Sequence, residues 1–103
     1  GIKQRMSERE QLEEILRNDL GYSQDQINLV DLYKVEGCTN GTELRDTDGQ
    51  PIPNFNYEGT IFWIDLVPPA NWDHSCLYIA DTGTKVHYVE HNQPPHANLR
   101  ELE

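Results

Sequence analysis

Two histidines and a cysteine carry most of the chemistry open to this chain. His74 and Cys76 stand two residues apart, and on a strand such neighbours share a face about 7 Å apart. Cys76 then reads as a candidate nucleophile activated by His74 or His87, with Asp65 or Asp73 orienting the imidazole. The same three side chains, His74, Cys76 and His87, are the candidate ligands for a metal. A structural zinc site is marked by pairs at C-x-x-C-like spacing, and the chain has none. His87 and His91 have the i,i+4 spacing of helical zinc-protease ligands, but Val86, Tyr88 and Val89 favour a strand. On a strand that spacing spans roughly 13 Å, too far for one zinc with bonds near ~2 Å. The expectation is no metal and no cofactor, and Cys76 has a plainer reading as a small buried hydrophobe opening a strand.

Trp72, Asp73 and His74 are the candidate binding residues. Trp72 reads first as a core anchor closing one end of a sheet, and second as an exposed contact for a partner. Nucleotide chemistry has no support, since the chain lacks a Walker loop, a G-x-G-x-x-G turn and a Ser nucleophile elbow. Asp46, Thr47, Asp48 and Gly49 are too short a run for an EF-hand loop and read as a turn.

The balance of charge narrows the partners. Eighteen acidic residues against eight basic ones give a net charge of −10 over 103 residues, which repels nucleic-acid phosphates and anionic lipid. Binding of nucleic acid by a basic surface and binding to membranes are both excluded. An acidic surface serves solubility, or steers the domain toward a basic protein partner. No apolar run reaches the ~20 residues of a bilayer span and the N-terminus carries no signal-peptide core, so the chain reads as soluble and cytoplasmic. Cys38 and Cys76 are too few and too widely spaced for a disulfide scaffold and are expected as thiols. Asn40-Gly41-Thr42 fits the glycosylation pattern, but Asn-Gly is first a turn signal.

The elements that must position these groups follow from periodicity and punctuation. Ser7 and Glu10 form a capping box, Leu12, Ile15, Leu16 and Leu20 make one helical stripe, Glu13 and Arg17 pair at i,i+4, and Gly21 supplies the stop, which predicts a helix over 8–20. Ser23 and Asp25 cap a short helical turn, and a strand is expected near 29–36. The turn-rich stretch 37–56 contains an edge strand at TELRD between Asn40-Gly41 and Asp48-Gly49. Residues 61–67, TIFWIDLV without its first member, read as a central strand buried on both faces. Alternation places Ile61, Trp63, Asp65 and Val67 together, so Asp65 lies near an edge, pairs with a cation or is functional. Pro68-Pro69 ends that strand, 76–80 forms the next, and Asp81-Thr82-Gly83-Thr84 turns into a strand over 85–92. The tail from Gln93, with Pro94 and Pro95, is expected to start a helix.

One stretch resembles a known family. Tyr57-Glu58-Gly59, Phe62, Pro68 and Trp72 resemble the middle of ubiquitin-conjugating enzymes, where a Tyr-x-Gly-Gly turn feeds a buried strand and a proline-rich segment leads to the next. Thr60 replaces the second Gly, Trp72-Asp73 stands in place of Tyr-Pro, and Cys76 stands in place of a Pro. No His-Pro-Asn motif occurs and no cysteine follows His91-Asn92, so the family's thioester nucleophile is missing. The resemblance implies an inactive variant or a fragment ending before the active site.

The expected fold is α+β: an N-terminal helix on a four- to five-stranded antiparallel meander, with residues 1–6 as a leader and 7–103 as one domain. The expected function is a non-catalytic protein-interaction or accessory module. Its rival is a small thiol- or metal-dependent enzyme centred on His74, Cys76 and His87.

Overall fold

Helix α1 (Glu8–Asn18) begins where the Ser7 side chain accepts the Glu10 backbone N–H at 3.1 Å. The expected reciprocal bond does not form. Glu10 instead takes the Ser7 hydroxyl, and the complete capping box occurs at Ser23 and Gln26, opening α2 (Gln24–Asn28). Gly21, at φ +75°, lets Tyr22 N–H close on the Leu16 carbonyl at 2.8 Å. Leu12, Ile15 and Leu16 form the buried stripe of α1, and Ile27 anchors α2 beside them. The computed structural model describes residues 6–70 and 72–103. Apart from Met6, the expected leader lies outside these residues, as does Asn71 of the loop after Pro69.

Five strands follow: β1 (Asp31–Glu36), β2 (Thr60–Asp65), β3 (Cys76–Asp81), β4 (Val86–His91) and β5 (Asn98–Glu101). They form one antiparallel sheet in the order β4-β3-β2-β1-β5. The fold is α+β, with the helices N-terminal. No helix among the described residues is long and apolar enough to cross a membrane.

Two expectations fail. The tail is a strand and not a helix, because the free edge of β1 offers a ready ladder to residues 98–101, with Leu99 opposite Val35 and Arg100 opposite Lys34. TELRD is not an edge strand either. Its first residues complete a 3₁₀ turn, Gly41–Glu43, and the remainder makes only isolated bridges, Arg45 with Pro51 and Asp46 with Pro95.

Alternation divides the core in two. Leu32, Phe62, Ile64, Leu77 and Ile79 pack beneath the helices. Val35, Ile61, Trp63, Cys76, Tyr78 and Ala80 face the other way, under Leu44, Ile52 and Phe55 of the long connection 37–59. β2 is therefore buried on both faces, one by helix and one by irregular chain. That irregular cover sits close because of Gly41: a Cβ there would lie 2.2 Å from the Phe55 carbonyl oxygen.

Candidate binding site around the Trp72 loop

Asp65 ends β2 on the loop-covered face, opposite Asp31 of β1 and Cys76 of β3. Its Oδ1 accepts the Val67 N–H at 3.0 Å, turning the chain out of the strand. The same oxygen receives His74 Nε2 at 2.6 Å, while His74 Nδ1 donates to the Trp72 carbonyl at 2.6 Å. Both ring nitrogens thus face oxygen acceptors, and only the imidazolium satisfies both. The Trp72 carbonyl and then the Asp65 carboxylate raise the His74 pKa above the ordinary histidine value. Asp65 is therefore the strand-end carboxylate paired with a cation, one of the three readings its position allowed.

The pair clamps the backbone of the loop after Pro69, yet the indole it carries faces solvent. Trp72 is 73% exposed and does not anchor the core; Trp63, on β2, occupies that place at 6% exposure. Between the two indoles lies an open cleft of about 300 Å³, lined also by Asp65, Asp73, His74, Ala70 and Pro94.

Gln93 ties the cleft to the rest of the loop-covered face. Its carbonyl accepts the Tyr78 hydroxyl at 2.7 Å and the Cys76 thiol at 3.4 Å. Its side-chain amide donates to Asp73 at 3.1 Å and to Asp48, and its Oε1 accepts from Thr47 at 3.3 Å. A second histidine–carboxylate contact stands beside this hub, His91 Nε2 to Asp46 Oδ2 at 3.0 Å. Asp46 is 4% exposed, and its Oδ1 accepts the Asp48 and Gln50 N–H groups at 2.9 and 3.0 Å. Burial pushes its pKa up, but His91 and the two N–H groups together outweigh that and hold it low.

Cys76 is fully buried. Burial pushes its thiol pKa up, more than the Trp63 indole and the Gln93 contact pull it down. The Trp63 indole N–H is buried and makes no hydrogen bond among the described residues. Among the described residues no imidazole bonds to the sulfur: His74 is taken up by Asp65 and the Trp72 carbonyl, and His91, opposite Cys76 across the β3–β4 ladder, bonds Asp46. His87 sits further along β4, opposite Ala80 and stacked on Tyr57 with ring centroids 3.7 Å apart. Of the nucleophile and metal candidates, the fold joins His74 to Asp65, sets Cys76 opposite Asp65 across the β2–β3 ladder with its thiol bonded to the Gln93 carbonyl, and leaves His87 further along β4. No cluster of three or more His, Cys, Asp or Glu side chains suited to a metal occurs among the described residues. Cys38 and Cys76 are both free thiols.

Sequence reasoning missed Gln93, Asp46 and Tyr33. Gln93 is a loop residue whose partners lie far along the chain, and the Asp46-Thr47-Asp48-Gly49 turn signal accounts for the bonds of Asp46 to Asp48 and Gln50 but not for its contact with His91. Tyr33 is paired with Trp63 on the neighbouring strand, rings 5.4 Å apart; alternation in 31–36 was the available signal.

No family profile, no curated protein and no solved structure matches this chain.

Proposed function

We propose that the domain is a non-catalytic protein-interaction or accessory module whose contact point is the Trp72 loop. One observation carries this reading: an indole 73% exposed stands on a backbone fixed by the Asp65–His74 clamp. A large aromatic on an anchored backbone costs less backbone ordering when a partner covers it, and such side chains come to dominate an interface. The buried, protonated Cys76 without a base, and His74 with both nitrogens engaged, favour binding over nucleophilic or metal chemistry.

The resemblance of residues 57–72 to ubiquitin-conjugating enzymes, without their nucleophile, places ubiquitin-like proteins among the first partners to try. The charge of −10 adds basic proteins. Titrating the ¹⁵N-labelled domain with both classes should move the Trp72 indole N–H and the amides of Asp73 and His74. Absence of shifts at Trp72 and on every acidic face would remove the reading.

A further inference from the structure

The two faces of the sheet treat their carboxylates differently. On the helix side, Lys34 bonds Glu8 at 2.8 Å, Arg100 bonds Glu8 at 2.6 Å and also reaches Glu36, and Arg9 bonds Glu13 at 3.2 Å. Every Lys or Arg ion pair among the described residues lies on this side. On the other side, among the described residues, the basic groups that contact carboxylates are histidines, His74 and His91. Arg45, the one Lys or Arg in residues 37–59, makes no ion pair among the described residues.

Four carboxylates that no Lys or Arg partners among the described residues, Asp31, Asp65, Asp73 and Glu101, belong to the loop-covered face near the aromatic cleft. Asp31 and Asp65 stand directly opposite each other across the β1–β2 ladder, an arrangement of like charges that destabilises a sheet. Glu101 faces Tyr33 on the next ladder. Burial first, and then Asp31, Glu101 and Asp65 together, push the Tyr33 hydroxyl pKa up, a sign that the three charges share one field. Among the described residues, Asp65 Oδ2 has no hydrogen-bond partner and is not sealed from solvent, and Asp73 uses only Oδ2, toward Gln93. The imidazolium of His74 offsets one of these charges and leaves the cleft net negative.

Resting on the interaction-module reading, we infer that the cleft between Trp72, Trp63 and Pro94 takes an arginine side chain from a basic segment of the partner protein. A guanidinium is planar, stacks on an indole and donates a fork of N–H groups to a carboxylate. Trp72 offers the exposed ring, and Asp65 Oδ2 and the free oxygen of Asp73 offer acceptors on the same cleft. A bound guanidinium also relieves the Asp31–Asp65 repulsion. Lysine shares the charge but lacks the stacking plane and the fork.

The test uses the intact domain and three capped peptides carrying four arginines, four lysines or four citrullines spaced by glycine, followed by NMR titration at fixed ionic strength. The arginine peptide should shift the Trp72 indole and the amides of Asp65, Asp73 and His74, bind the domain at least about threefold more tightly than the lysine peptide, and outcompete citrulline entirely. Trp72→Leu, a change at an exposed position that leaves the fold intact, should weaken the arginine peptide roughly tenfold and abolish its advantage over lysine. Glu14→Gln on the helix side should change nothing. Equal affinity for arginine and lysine, an unaffected Trp72→Leu variant, or shifts spread over the helix side would overturn the inference. A protein partner that shifts Trp72 while the arginine peptide does not removes the arginine chemistry and keeps the module; failure of both removes both.

Discussion

The helix-covered and loop-covered faces of this sheet bury comparable sets of apolar residues by unlike means. Beneath α1 the cover is periodic, its ends are capped and its ion pairs are made by Lys and Arg. Over the other face the cover is irregular chain, seated by one glycine, one buried carboxylate and a glutamine hub. A regular cover satisfies its own backbone and so needs few specific residues, whereas an irregular cover must be pinned group by group. Those pins are the polar side chains that surround the cleft, so the face that is harder to build is also the one that carries the candidate function.

The comparison is broken most decisively in the core. Leu16→Ala beneath the helix and Phe55→Ala beneath the loop should each lower stability by roughly 3–5 kcal/mol in urea denaturation, with a single transition, because β2 belongs to both cores. A near-normal Phe55→Ala variant would make the irregular cover a loose flap. Thiol labelling sharpens the same point. Cys76 should react on the order of 10³-fold more slowly than an unfolded thiol, since the sulfur is reached only when the loop cover opens with the whole domain. Next comes Gly41→Ala, whose methyl would meet the Phe55 carbonyl 2.2 Å away; a loss of about 1–3 kcal/mol is expected, confined to the loop side by hydrogen exchange.

The sequence reveals the two covers unequally. Leu12, Ile15, Leu16 and Gly21 announce a helix through spacing alone, and Ile61 to Ile64 announce a doubly buried strand through their unbroken apolar run. What covers the second face is hidden, because Phe55 and Ile52 are placed by Gly41 and by Asp46 contacts made to distant residues, not by any period. The site is half legible. Trp72, Asp73, His74 and Asp65 stand out by residue type, but that His74 would choose Asp65 and not Cys76 depends on the direction the chain takes after Pro69. The β5 strand was hidden for a related reason: whether four residues form a strand depends on a free edge elsewhere.

Smaller effects separate the charge networks. His74, whose pKa is raised in the folded domain, stabilises fully below the ordinary histidine value near ~6.5, and its contribution fades as pH rises through the raised value. His74→Gln should lose about 1–2 kcal/mol at pH 6 and flatten the thermal-stability profile on the alkaline side. Asp46, whose pKa is lowered, acts at the other end, contributing above the usual carboxylate range and failing as pH falls below it. Glu8→Gln on the helix side removes the partner of Lys34 and Arg100, yet should cost less than about 1 kcal/mol, since exposed pairs are weak and screened.

The central claim, that binding belongs to the loop-covered face and not to the acidic surface at large, is tested most directly by equal charge changes on the two sides. Affinity for the four-arginine peptide is measured for Asp73→Lys, at the cleft, and Glu14→Lys, on the outer side of α1. The structure predicts about a tenfold or greater loss for Asp73→Lys and an affinity within about twofold of the parent for Glu14→Lys. Equal losses in the two variants would contradict it, since the domain would then bind through its net charge alone.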